Sequence, residues 1–261
     1  MNFNQEKKLA VVMVKEVGAF LKKNFNKYDR SKGFKIKSKS QIQLWVDRAA
    51  EQMILARIKK QFPGHKILAE ESGLNKKHSD YYWIIDPLDG TTNYSMHLPA
   101  YGVSIALAYQ GEIVLGATNI PELNELMIAE KGQGVFLNGK RVHVSKQKDA
   151  KKALLTFCHG SMINDMKRAI NMYTKFKLHG LDYRQIGSSV VEFNFVATGR
   201  TEAIMLPGAN LYDVAAGALF VKEAGGRVTD FNDKNWTIRS KDILASNGLV
   251  HSQVLKIINK K

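Results

Sequence analysis

Apolar positions recur with two different periods along this chain. Leu9, Val12, Met13, Val17 and Phe20 fall three and four apart, which predicts an amphipathic helix over residues 5–24. Val46, Ala50, Met53, Ile54 and Ile58 repeat that spacing and predict a second helix, ended by Pro63-Gly64. Between them the basic stretch from Tyr28 to Ser40 has no apolar period and reads as a loop or irregular hairpin. The period then shortens. Lys66 to Ala69 is a short strand, and Tyr82 to Ile85 is a continuous apolar run of the buried-strand kind. Strand-like runs follow at 102–109, 112–119, 125–130 and 134–144, punctuated by Gly111, Pro121 and Asn138-Gly139. Asn-Gly between Val135-Phe136-Leu137 and Val142-His143-Val144 is a hairpin signal. This half reads as a mostly antiparallel meander closing a large sheet.

The rhythm changes beyond a polar junction, Lys146 to Lys152. Leu154 to Phe157 is strand-like, Met162 to Phe176 helical and Tyr183 to Ile186 extended. Gly187-Ser188-Ser189 opens a helix from Val190 to Thr198, and Glu202 to Met205 is a strand. Asp213 to Ala224 is an apolar helix capped by Gly225-Gly226. Arg227 to Asp230 and Ile243 to Ser246 are strands, and His251 to Ile258 is a last helix. Alternation of this kind indicates an α/β half. The expected organisation is an N-terminal α+β half, 1–146, and a C-terminal α/β half, 147–261, that completes the site.

Composition adds little to that outline. The 261 residues are 44% hydrophobic and 24% charged, ordinary for a globular chain large enough to bury a core. No apolar run is long enough to span a membrane, and the polar start, Met1 to Lys8, leads into no apolar leader core. Cys158 is the single cysteine, which excludes an internal disulfide, and a cytoplasmic protein is expected. The net charge of +15 changes the picture more. It suits phosphorylated metabolites, nucleic acid or acidic protein surfaces, or else marks solvated lysine-rich faces. The lysines are scattered, densest at Lys32 to Lys39 and at Lys256, Lys260 and Lys261.

The candidate chemistry centres on Trp83-Ile84-Ile85-Asp86-Pro87-Leu88-Asp89-Gly90-Thr91-Thr92-Asn93-Tyr94. A buried strand here drives into two carboxylates, Asp86 and Asp89. In a regular strand positions i and i+3 face opposite ways, but Pro87 can bend the exit so that both acids converge. Two close carboxylates repel unless one is protonated or a cation sits between them, and hard oxygen ligands suit Mg²⁺. Gly90-Thr91-Thr92 offers backbone N–H groups that can hold a phosphate beside that metal. The plain alternative is a strand ending in a polar turn. Three other acids carry the same double reading. Asp47 at the start of the second helix suits the helix dipole. Glu70 in Glu70-Glu71-Ser72-Gly73 ends a strand, solvated or liganding. Asp213 opens a helix, as an N-cap or as a ligand delivered into a cleft between the halves.

Taken together, these segments resemble the inositol monophosphatase family of Mg²⁺-dependent, Li⁺-sensitive phosphatases over nearly the whole chain. Glu70-Glu71-Ser72 is similar to its first acidic motif. Trp83 to Asn93 is similar to its W-x-x-D-P-x-D-G-T-x-N signature. Tyr212-Asp213-Val214-Ala215-Ala216-Gly217, with Glu223-Ala224-Gly225-Gly226 after it, is similar to its C-terminal motif. The resemblance implies a layered α-β-α-β-α fold of the sugar-phosphatase type, commonly a homodimer. It implies one Mg²⁺ on Glu70, Asp86 and the Leu88 carbonyl, and a second on Asp86, Asp89 and Asp213. A third, weaker ion would sit near Glu70. It implies phosphate on the N–H groups of Gly90 and Thr91, with the Thr91 hydroxyl, paired with Asp47, orienting and helping to deprotonate a metal-bound water. Gly187-Ser188-Ser189 would line the alcohol side, with Arg184 on the phosphate side or at the surface. None of the seven histidines falls in a metal-binding spacing, and they are expected to be ordinary surface or core residues.

The chain departs from the pattern in two places. Relatives acting on inositol phosphates carry an acid seven residues before the C-terminal aspartate, where this chain has Leu206. Before Asp47, Gln41-Ile42-Gln43-Leu44 replaces the usual Asp-x-Val-Thr. The expected activity is therefore hydrolysis of a small phosphate monoester. Inositol phosphate, a sugar phosphate such as fructose 1,6-bisphosphate, histidinol phosphate and a 3′-phosphonucleotide all stay open as substrates. A binding role in RNA or transcription complexes, as for some bacterial relatives, is the second expectation, although no RRM or KH motif is present.

Overall fold

The computed structural model describes residues 3–27 and 44–260 in full and the backbone of 35–38 and 41–43. Two helices open it, α1 (Asn4–Phe25) and α2 (Trp45–Gln61). The buried stripe of α1 is Leu9, Ala10, Met13, Val14, Val17 and Leu21; Val12, expected on it, is 41% exposed. Within the Tyr28 to Ser40 stretch, β1 (Lys35–Ser38) pairs antiparallel with β2 (Gln41–Gln43). The rest of that stretch, with Lys32 and Lys39 of the lysine cluster, and Lys261 lie outside the described residues.

An eight-stranded sheet follows. Its strands are β3 (Lys66–Ala69), β4 (Gly73–Leu74), β5 (Tyr81–Asp89), β6 (Gly102–Tyr109), β7 (Glu112–Ile120), β8 (Glu125–Glu130), β9 (Gly134–Leu137) and β10 (Lys140–Arg141). They stand in the order β10-β9-β8-β7-β6-β5-β3-β4, antiparallel except where β3 meets β5. A one-turn helix, α3 (Thr91–Ser95), leaves β5. A second sheet of five strands comprises β11 (Leu154–Phe157), β12 (Asp182–Arg184), β13 (Ala203–Leu206), β14 (Arg227–Thr229) and β15 (Ile243–Ser246), in the order β12-β11-β13-β15-β14. Helices α4 (Ile163–Leu178), α5 (Ser189–Ala197), α6 (Leu211–Glu223) and α7 (His251–Ile258) alternate with these strands.

The layers follow from which faces are apolar. Helices α1 and α2 cover one face of the large sheet; α5 and α6 fill the space between the sheets; α4 and α7 cover the far face of the small one. This is the expected α-β-α-β-α arrangement. Helix α5 and the Val214–Val221 stretch of α6 are largely buried, as their mostly apolar sequences require. They meet at backbone distance, since a Cβ on Gly217 would stand 2.2 Å from Phe193. The central layer packs Phe193, Val214 and Phe220 against Ile84 and Ala106 of the first sheet and Ile204 and Ala245 of the second. No helix is long and apolar enough to cross a membrane among the described residues.

The Asn138-Gly139 hairpin forms, with both residues at positive φ (48° and 80°), the pairing a two-residue turn requires. Its return strand is Lys140–Arg141, and Val142-His143-Val144 is not strand as expected. Val144 instead donates its N–H to the Ala224 carbonyl (3.2 Å) and packs into the central layer.

His251 is fully buried at the start of α7. The Thr229 hydroxyl donates to the Asp230 carbonyl, so it accepts from Nε2–H (2.9 Å), while Ser246 donates to Nδ1 (2.8 Å). This network suits the neutral ring, and burial, aided by Arg227, pushes the pKa down to about 4. The unfolded chain therefore takes up the proton first. Stability is full above the unfolded value near 6.5 and falls as pH drops toward 4, by up to about 3 kcal/mol. Denaturant melts at pH 7 and pH 4.5 should show this loss in the wild type and a smaller one in His251→Gln; equal losses would remove His251 as the cause.

Candidate active site

The site is set by an irregularity in β5. Against β6, Asp86 pairs with Ser104 and Asp89 with Gly102, so three steps on one strand match two on the other. The extra residue is a bulge at Pro87-Leu88, a place that tolerates a proline without an N–H. It turns an i, i+3 pair into the equivalent of i, i+2, and both acids face one side. Asp86 Oδ1 accepts the Leu88 N–H (3.1 Å) across the bulge. Asp89 is held from the second half of the chain. It accepts the Val190 N–H (2.8 Å), the Ser188 hydroxyl, and the Ser189 hydroxyl at 3.1 Å.

Asp213 arrives on α6. It is not the N-cap: Asn210 is, and Asp213 stands in the first turn as the third helical residue. From there Oδ2 reaches back to the N–H of Asn210 (3.3 Å) and its side-chain amide (3.0 Å). Ligand oxygens of Asp86, Asp89 and Asp213 lie within 4.8 Å of one another. Glu70, just past β3, borders the same cavity and hydrogen-bonds Asp86. Burial raises Asp86 and Asp213 well above the ordinary carboxylate range, and the neighbouring acids push them further. Burial also raises Asp89, against the pull of Ser188, Val190 and Ser189. Four converging acids that resist ionising together, with hard oxygen donors, fit a divalent cation such as Mg²⁺.

The cavity, ≈180 Å³, is lined by Glu70, Asp86, Leu88, Asp89, Gly90, Thr91, Thr92, Cys158, His159, Gln185, Gly187, Ser189, Leu206, Asn210 and Asp213. Of the expected residues, Ser188 lies beneath it, behind Asp89, and Asp47 is buried in the first turn of α2, where its carboxylate accepts the Leu44 N–H. The Thr91 hydroxyl donates to the Leu88 carbonyl (3.0 Å). Gly90 caps α3 in the left-handed region, φ 82°. Asn93 ties the halves together, donating to the Ala100 (2.7 Å) and Ile186 (3.0 Å) carbonyls. Arg184 is a surface residue paired with Asp182 (3.0 Å), and Gln185 lines the cavity in its stead.

Four lining residues have no signal in the sequence: Cys158, His159, Gln185 and Asn210. His159, expected to be an ordinary histidine, enters from the end of β11. Its Nδ1 lies 2.9 Å from the Gly160 carbonyl, which can only accept, so Nδ1 carries the proton. Behind the cavity Glu192 is fully buried and pushed up by that burial to about 8. It accepts the N–H groups of Ile186 (2.9 Å) and Gly187 (3.1 Å) and the Cys158 thiol (3.3 Å), and so props the turn that presents Ser188 and Ser189.

Known proteins match nearly the whole chain. The family model for the inositol monophosphatase family matches residues 4–261. A fructose-1,6-bisphosphatase/inositol-1-monophosphatase of Thermotoga maritima is 36% identical, covering 96% of this chain and 94% of that one. A protein of Escherichia coli named Nus factor SuhB is 34% identical over 95% of this chain and 93% of its own. Among solved structures, a Thermotoga maritima IMPase superposes with a TM-score of 0.87 at 33% identity, covering 98% and 97% of the two chains. The extragenic suppressor protein suhB of Bartonella henselae gives 0.90 at 29%, covering 97% and 98%.

Proposed function

Because this chain belongs to the inositol monophosphatase family, and is a phosphatase of that superfamily, we propose that it hydrolyses a small phosphate monoester in the cavity between its two sheets. The observation that carries the reading is the convergence of Asp86, Asp89 and Asp213 within 4.8 Å, beside Glu70. Glu70, Asp86 and the Leu88 carbonyl would hold one Mg²⁺, and Asp86, Asp89 and Asp213 a second, with Glu70 available to a third. Bound there, the metal would lower the pKa of water and neutralise phosphate charge. The N–H groups of Gly90 and Thr91, at the start of α3, would hold the phosphate. The Thr91 hydroxyl, turned from the Leu88 carbonyl to pair with Asp47, would orient the attacking water and pass its proton toward Asp47. As the new P–O bond forms, the bond to the alcohol breaks, and the alcohol oxygen takes a proton from solvent water.

The alcohol would face Cys158, His159, Gln185, Leu206 and Asn210. Leu206 is 1% exposed and accepts no hydrogen bond, so a polyol would leave hydroxyls unpaired there. That disfavours inositol 1-phosphate and leaves fructose 1,6-bisphosphate, histidinol phosphate and a 3′-phosphonucleotide as alternatives; the Thermotoga relative's name covers both the first of these and inositol 1-phosphate. The test is phosphate release from these four substrates with Mg²⁺, with Mg²⁺ plus Li⁺, and with chelator. One substrate should dominate and lose all turnover on chelation; silence on every substrate from folded protein would overturn the reading. In the same assay Leu206→Glu should lower KM for inositol 1-phosphate about tenfold, the scale of one hydrogen bond to a charged group. An unchanged KM would mean the ring rests on other residues.

A binding role beside catalysis draws support from the +15 charge and from relatives named Nus factor. RNA binding that weakens steeply with salt would support it, and no binding at low salt would end it. Li⁺ sensitivity and a homodimer come to this chain as family expectations, and a cytoplasmic location as an expectation from its single cysteine and polar start.

A further inference from the structure

The turn that delivers Asp213 is anchored from outside the acidic cavity. It runs from Leu206, at the end of β13, through Pro207-Gly208-Ala209 to Asn210, the cap of α6. Leu206, Asn210 and Asp213 all border the cavity. Gly208 makes the bend, at φ 70°. Its N–H donates to Asp242 Oδ1 (3.0 Å). Its Cα lies against Asp165 of α4, since a Cβ on Gly208 would stand 2.1 Å from that carboxyl carbon. Two acids therefore close on one glycine. Their side chains are only 15% and 19% exposed, so solvent screens their repulsion poorly.

Arg168 offsets both charges. It stands three residues after Asp165 on α4. Its guanidinium donates to Asp242 Oδ2 and lies 3.6 Å from Asp165 Oδ1, and it rests 5.7 Å from the centre of the Phe231 ring. Without that cation the two carboxylates would repel and part. Asp242 would then draw the Gly208 N–H with it. The backbone bonds of the turn follow the same two acids. The Ala209 N–H donates to the carbonyl of Lys241, the neighbour of Asp242 (2.6 Å). The Pro207 carbonyl accepts from Gly160 (2.9 Å), against which Asp165 also packs.

We infer, on the reading of Asp213 as a metal ligand, that Arg168 is a positioning residue for the metal site: through Asp242 and Gly208 it sets where Asn210 and Asp213 stand.

The experiment is a Mn²⁺ titration of the full chain, followed by the paramagnetic resonance of the free ion; Mn²⁺ takes the same oxygen donors as Mg²⁺. Asp213→Asn marks the step of binding that depends on Asp213. In Arg168→Met that same step should weaken about fivefold, just below the range for direct partners of a metal ligand. Adding Asp165→Asn to Arg168→Met removes one of the two facing charges and should restore the affinity to within about twofold of wild type. Arg200→Met is the structural control. Arg200 is 37% exposed, as Arg168 is, pairs with Glu125 (2.8 Å) and lies over the Phe195 ring (4.2 Å), and these partners stand outside the turn. It should bind Mn²⁺ as the wild type does. Unchanged Mn²⁺ affinity in Arg168→Met, an equal loss in Arg200→Met, or no recovery on adding Asp165→Asn would each overturn the role of Arg168. Wild-type protein that binds no Mn²⁺, or Asp213→Asn that binds it as well as wild type, would overturn the metal site itself and this role with it.

Discussion

Asp89→Asn should reduce phosphate release by more than about 10³-fold, because a bound cation supplies several kcal/mol and each tenfold is about 1.4 kcal/mol. The change keeps volume and removes charge from the centre of the acidic cluster. Its structural cost is bounded by what holds the carboxylate: Ser188, Ser189 and Val190 all donate to it. An amide turns one acceptor into a donor and leaves one of these groups unsatisfied, a loss of about 1–3 kcal/mol. Relief of repulsion among Asp86, Asp89 and Asp213 works in the opposite direction. Melting should therefore shift by a few degrees only, about 2–4 °C per kcal/mol for a chain near this size. The comparison that decides is kcat beside Tm with and without Mg²⁺. The wild type should gain Tm from the ion and the variant should gain little; an unchanged rate would remove Asp89 from the metal set.

Gly90→Ala should damage stability and activity together. Gly90 sits at φ 82°, where a side chain costs about 1–2 kcal/mol. A Cβ there would also stand 2.8 Å from the Ala100 carbonyl and 3.1 Å from Ser188 Cβ. Neither neighbour can yield without consequence. The Ala100 carbonyl accepts from Asn93, and Ser188 holds Asp89. A total loss of about 2–4 kcal/mol is expected once overpacking is added. A shift of the reacting geometry approaching 1 Å should cost about 10²-fold in kcat/KM. Gly111→Ala is the control. It has the same backbone region, φ 84°, with nothing within 4 Å. It should show the strain alone and keep full activity, and equal losses in both variants would mean that contact at Gly90 plays no part.

The elements were largely legible because their signals are local. Apolar spacing marked α1, α2 and α7 closely, and Asn138-Gly139 announced its turn. Convergence of Asp86 and Asp89 could be expected from Pro87, but its means could not, since a bulge is a property of two strands in register. Val142-His143-Val144 alternates like a strand, yet its apolar side chains are satisfied by the central layer instead of a ladder. Asn210, and not Asp213, caps α6 because the acid serves equally well from the third position, reaching backward. Cys158, His159 and Gln185 escaped notice for a related reason. They lie at the ends of β11 and β12, and only the parallel pairing of those strands brings them to one rim. Glu192 reads as a polar break in an apolar helix, and its work on the Gly187 turn shows only in three dimensions.

The grip of Ser188, Ser189 and Val190 on Asp89 has a consequence for the order of assembly. Those partners lie about a hundred residues downstream of the acid they hold, and Asp213 lies further still. The first sheet already brings Glu70, Asp86 and Asp89 together, since β3 pairs with β5 and Glu70 hydrogen-bonds Asp86. Closing the central layer on α5 and α6 adds Asp213 and takes the cluster out of water, and burial is the largest cause raising all three aspartates. A divalent cation bound at that stage would offset this cost and act as a clasp between the two sheets. On the proposed function, phosphate hydrolysis and the joining of the two sheets would then draw on the same four carboxylates.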